Sequence, residues 1–260
     1  MKNLKNLFLA VFAVSLTALT SCLHIIEEAT FRNNGSGSYK MTLDMSEMKG
    51  MMDMFKGMED GNVLGTEGDS TSIQGEGDYT PPADPATEDP MGGLGDEMSN
   101  VAASIKGVQG ISNVIEIKDT SNFNFGYSFD FTDVAALNRA LKIINKDKYD
   151  TKVEEIFRFN GKSFERLGVG DLGAEMQKAM MENGGEGAEG DEGGMDMAKM
   201  FLADMSYKQI YHFPDRTVKK SDNKISEITN DGHTLTINLK PFSEEQQKSK
   251  AGVAAKVKLK

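Results

Sequence analysis

Hydrophobic and polar positions along the chain change period several times, and each change predicts a change of element. Ile25, Ala29 and Phe31 fall on one side of an extended stretch over residues 23–33, which Asn34-Gly35-Ser36-Gly37 then breaks. Tyr39, Met41, Leu43 and Met45 alternate with polar neighbours on the far side of that break, so the two runs predict a hairpin. From Ser46 the spacing lengthens: Met48, Met51, Met52, Phe55 and Met58 recur at helical intervals behind a serine suited to cap them.

The same order recurs further on. A short helix over Met98–Ile105 leads to strands over Ile111–Lys118 and Asn122–Phe131, the second of which puts Phe123, Phe125, Tyr127, Phe129 and Phe131 on one face. Asp133 then stands where an N-cap belongs, before a helix with the stripe Val134, Leu137, Leu141, Ile144. A third unit runs from Val153 to Phe159, turns at Asn160-Gly161, returns through Phe164 and Leu167 and enters a helix near Leu172. Helix resumes over Met195–Ala203, and strands follow at Tyr207–Phe213, Ile225–Ile228 and Thr234–Leu239. Hairpins and helices in this order predict an α+β fold: an antiparallel sheet built from hairpins, with helices packed on one face.

Composition interrupts this pattern twice. Glu59 to Glu97 holds 11 acids and no base amid Gly, Ser, Thr and Pro, and Glu182 to Asp196 holds 6 acids and no base amid Gly. Such stretches bury too little apolar surface to offset the entropy of ordering them, so two long acidic Gly-rich loops, at 60–96 and 183–194, are expected to be disordered. The 17 acids of Glu59–Glu97 and Glu182–Asp196, taken from 40, leave 23 against 29 bases, so the net charge of −11 belongs to these stretches and the folded remainder is mildly basic. With acidic arms of this kind, nucleic acid is not an expected partner.

The first residues have a different character. Lys2 and Lys5 precede the apolar run Leu7 to Val14, which is roughly half of the 20 or so residues a spanning helix needs. This is the layout of a signal peptide over residues 1–21. It ends in Leu19-Thr20-Ser21-Cys22, which resembles the lipobox of bacterial lipoproteins: an aliphatic residue, two small ones and a cysteine. That resemblance implies cleavage between Ser21 and Cys22, a diacylglycerol thioether on Cys22, and acylation of the new amine by a fatty acid such as palmitate. Two or more chains anchor stably where one binds marginally. Cys22 is the only cysteine, so it has no disulfide partner within the chain. In enteric bacteria an Asp after the cysteine retains lipoproteins in the inner membrane, so Leu23 implies the outer membrane. The mature extracytoplasmic domain would span 22–260. A second resemblance lies in Tyr207 to Pro214, Asn223 and Asp231-Gly232-His233-Thr234 through Leu239, which is similar to the closing segment of uncharacterised envelope lipoprotein families.

Other motifs reduce to simpler readings. Gly168-Val169-Gly170-Asp171-Leu172-Gly173 has dinucleotide-fingerprint spacing, but the strand before it alternates as if half exposed, and the position for the ribose-binding acid falls in the acidic loop. Asn160-Gly161-Lys162-Ser163 is a hairpin turn, because Ile156 occupies the place of the glycine a phosphate loop needs. The acidic loops lack EF-hand spacing, and His24, His212 and His233 are scattered, so no metal site and no cofactor are expected. Nucleophile-elbow and zinc-protease motifs are absent, and an enzyme is not expected. What remains is a binding or structural role in the envelope, with a protein or a lipid as partner. The face formed by Phe123, Phe125, Tyr127 and Phe129, beside Met48, Met51 and Met52, would serve a carrier of a lipid or other apolar ligand. The same thioethers are soft ligands that suit Cu(I).

Overall fold

A computed structural model describes residues 23–47, 49, 92–145, 155–168, 205–249 and 252–260. The predicted signal segment, Ser21, Cys22, Met48, Met51, Met52 and the expected loop at 183–194 lie outside these residues, as do 60–91 of the first expected insertion. Residues 92–96, placed in that insertion by composition, are instead the first turn of helix α1 (Gly92–Ile105).

The first predicted hairpin forms from β1 (His24–Phe31) and β2 (Gly37–Asp44), with Ala29 opposite Tyr39. Gly35 turns the chain at φ +82°, a left-handed conformation that favours glycine. Gly37 follows because the carbonyl of Thr30 lies where a Cβ would stand. The second unit is β3 (Ile111–Asp119), β4 (Asn124–Phe131) and α2 (Val134–Ile144). Asp133 caps α2 as expected, its Oδ1 accepting from the Ala136 amide at 2.8 Å. The hairpin at Asn160-Gly161 also forms, joining β5 (Phe157–Phe159) to β6 (Ser163–Arg166), with Asn160 Oδ1 accepting from the Lys162 and Ser163 amides. Beyond it come β7 (Ser206–His212), β8 (Val218–Ser221), β9 (Ser226–Thr229), β10 (Thr234–Leu239), the short helix α3 (Glu244–Ser249) and β11 (Ala255–Leu259).

These elements form an α+β fold with two differences from the expected sheet. One seven-stranded sheet has the order β3-β4-β2-β1-β7-β10-β9, and its β1–β7 pair is parallel, so the sheet is mixed. A separate antiparallel sheet, β5-β6-β11-β8, provides part of the cover that helices alone were expected to give. Ala29, Phe31, Tyr39, Phe129, Phe131, Tyr211 and Leu235 point inward from the large sheet, and they meet α1 and α2 at one end and the small sheet at the other. Phe31 joins these parts. Its ring lies 5.0–6.2 Å from those of Phe131, Phe157, Phe159, Phe164 and Phe213, which come from both sheets.

Candidate functional site

Inward positions of the large sheet are apolar except at two neighbours, Glu27 of β1 and Gln209 of β7. Glu27 stands between Ile25 and Ala29 on the same face of β1, and its side chain is almost wholly buried. From the facing sheet, Arg166 is the corresponding exception, two residues past buried Phe164 on β6. Strand alternation therefore brings together two charges 139 positions apart in sequence: Arg166 Nη2 donates to Glu27 Oε2 at 3.3 Å.

The parallel β1–β7 pair supplies the rest of the cluster. It sets Gln209 beside Glu27, with Tyr207 and Tyr211 two residues to either side. The Tyr207 hydroxyl donates to Oε2 at 2.5 Å and the Tyr211 hydroxyl to Oε1 at 2.6 Å. Arg166 Nη1 donates to the Leu167 carbonyl, and its guanidinium lies 5.7 Å from the centre of the Phe157 ring. With its amide turned to satisfy both sides, Gln209 accepts from Arg166 Nε and donates to the Val253 carbonyl, each at 3.2 Å.

Electrostatics follow from this closure. Burial works hardest against the Glu27 carboxylate, but the Arg166 charge and the donors from Tyr207, Tyr211 and Arg166 outweigh it and hold its pKa below the ordinary value. Burial, with the Glu27 charge added, pushes the phenols of Tyr207, Tyr211 and Tyr39 well up, so they remain neutral donors. Arg166 is also buried, yet its neighbours hold its proton firmly. Both carboxylate oxygens are engaged, and the chemistry of the group is that of an internal clamp between two sheets.

The residues proposed for a ligand face divide into three groups. Phe125, Tyr127 and Phe129 do share a face, each at 3% exposure or less. Tyr127 and Phe129 pack with Tyr39 against the helices in the main core, while Phe125 packs beside Met45. Phe123 leaves the alternation. It sits in the β3–β4 turn at φ +49°, and its carbonyl accepts from the Met45 amide. Met48, Met51 and Met52 lie outside the described residues, as does Gly168-to-Gly173 beyond Gly168 itself. The three histidines stay apart: His24 meets Ser206, His212 meets Glu28 and Thr234, and His233 meets the Phe213 carbonyl. Among the described residues no group of three or more His, Cys, Asp or Glu could hold a metal, and no helix is long and apolar enough to cross a membrane.

The opposite face of the large sheet carries a shallow groove of about 520 Å³, lined by Glu28, Lys40, Ser128, Asp130, Asn113 and Ile115 among others. It lies against β3, where the register shifts between Ser112 and Ile115, Asn113 takes φ +51°, and Ile115 is 58% exposed. Asn113 Nδ2 donates to Asp130 at 2.7 Å across this bend.

No protein-family model matches the chain, and no curated protein matches it. Among solved structures, it is similar to the NMR structure of the folded domain of LppM from Mycobacterium tuberculosis, at 9% identity and a TM-score of 0.35, over 92% of this chain and 89% of that one. At that identity and TM-score the likeness defines neither a shared fold nor a shared role.

Proposed function

We propose that this chain is a lipid-anchored protein of the bacterial envelope, tethered through Cys22, with a non-enzymatic binding or structural role. The observation that carries this reading is the position of the lipobox cysteine relative to the fold. Only Leu23 separates Cys22 from β1, a central strand of the large sheet, and the Leu23 carbonyl already accepts from the Ser206 amide at 3.1 Å. An acylated Cys22 would therefore hold the His24 end of the sheet within about 7 Å of its attachment point. The body would stand on the membrane with little freedom to move away. Leu23, in place of Asp, favours the outer membrane.

Metabolic labelling with a fatty acid tests the anchor. Label should appear on the wild-type chain and vanish in Cys22→Ser, and a variant that retains label sinks the proposal.

A further inference from the structure

From the outward side of the small sheet we infer a binding surface for an extended polyanion, specifically an acidic polysaccharide. Along β11, Ala255, Val257 and Leu259 point inward and are buried, so Lys256, Lys258 and Lys260 all point outward. Antiparallel pairing with β8 puts Lys220 directly opposite Lys258, and the register shift beside Lys258 adds Lys219. On the other side of β11, Ser163 of β6 stands opposite Lys258.

Like charges directly opposite one another weaken a strand pair. Among the described residues no acid pairs with either Lys220 or Lys258. The acids of the face gather at its other end: Glu165 pairs with Lys256 at 3.0 Å and lies 3.8 Å from Arg158, and Asp222 accepts from the Lys256 amide. Lys219, Lys220 and Lys258 are exposed and make no ion pair with any described residue. Outward lysines recur every second residue, about 7 Å apart along the strand, with the facing pair about 5 Å apart. That is a flat row of point charges suited to a chain of repeated anionic groups rather than to one buried anion.

Placement and chemistry select the polymer. Thr217 exchanges backbone hydrogen bonds with Lys260, and Asn33, just past β1, donates to Asp215, so the lysine row lies toward the Phe31 end of β1. Cys22 precedes the opposite end, about 25 Å away. The row is therefore turned from the membrane that would hold the anchor, and the outward side chains of β11 and β8 include no apolar group to enter a bilayer. The preference for a polysaccharide over nucleic acid rests on the envelope reading. The row itself does not.

The test uses the full chain in a neutral detergent and immobilised polygalacturonate as probe. Wild type should bind, with affinity falling steeply as salt rises. Lys220→Glu should weaken binding about tenfold while raising the melting temperature, because it replaces a repulsive cross-strand pair with an attractive one. Lys258→Glu should do the same, whereas Lys106→Glu/Lys142→Glu, elsewhere on the surface, should leave binding unchanged. Polygalacturonate binding that is absent, or equal in Lys220→Glu and wild type, overturns the assignment. So does Lys220-dependent pelleting with vesicles of about 30% phosphatidylglycerol without polymer binding, which would make the partner a membrane. Failure of the envelope reading appears separately, as an unlabelled Cys22.

Discussion

Replacing Arg166 by Met removes the cation of the buried clamp while keeping much of its volume, and leaves Glu27 with two phenol donors and no counter-charge. Breaking such a pair from one side costs about 3–5 kcal/mol. The structure offers one escape, which is to protonate Glu27. From an ordinary value of 4.5, protonation at pH 7 costs about 3.4 kcal/mol, at 1.36 kcal/mol per unit, and this caps the charge-related loss. The sign with pH follows. In the wild type the folded pKa of Glu27 is lowered, so its contribution is complete above 4.5 and disappears as pH falls through the folded value. In Arg166→Met the folded pKa is raised, so the variant is least penalised near 4.5 and loses stability as pH rises from there. The wild-type advantage should therefore grow from about 1 kcal/mol at pH 5 to about 3 kcal/mol at pH 7, where it lowers the melting temperature by roughly 6–12 °C. Urea unfolding followed by far-UV circular dichroism at the two pH values measures this. Glu27→Leu combined with Arg166→Met should recover part of the loss, because no charge is left buried. A loss at pH 7 below about 1 kcal/mol, or one independent of pH, would refute the clamp.

Three further substitutions probe the frame. Asp133→Ala removes the α2 cap and should cost about 1 kcal/mol by urea titration at neutral pH. Its carboxyl is held below the ordinary value chiefly by the Ala136 amide, so the difference from wild type should shrink as pH falls below about 4. Asn138→Ala should cost about 2–3 kcal/mol, because its side chain donates to the Phe157 carbonyl and accepts from the Ile156 and Phe157 amides, tying α2 to β5. Gly126→Ala should prevent β2 and β4 from pairing in register, since a Cβ there would stand 2.1 Å from the Met41 carbonyl oxygen. Loss of cooperative melting reports it, and a wild-type melt would contradict the packing.

Much of the frame was legible from periodicity because it depends on local contrast. The alternation of Phe125, Tyr127, Phe129 and Phe131, the Asp133 cap and the Asn160-Gly161 turn each follow from a few neighbouring residues. The second sheet is not legible in this way, although Ala255, Val257 and Leu259 alternate with Lys256, Lys258 and Lys260. Its partners β6 and β8 are four residues each and lie far off in sequence, and pairing between distant segments has no local signature. The parallel β1–β7 pairing joins residues 182 apart for the same reason. The clamp had one trace in the sequence: Glu27 and Arg166 interrupt apolar positions, and a charge at an inward position calls for a partner. Which partner answers it is set by topology alone.

The proposed anchor is tested most directly by the mass of the N-terminal peptide of the chain expressed from Met1 in a bacterial host. Cleavage before Cys22, with a diacylglycerol thioether on its sulfur, is the predicted result. A peptide that still carries Ser21, or one that begins at Cys22 with a free thiol, would contradict it.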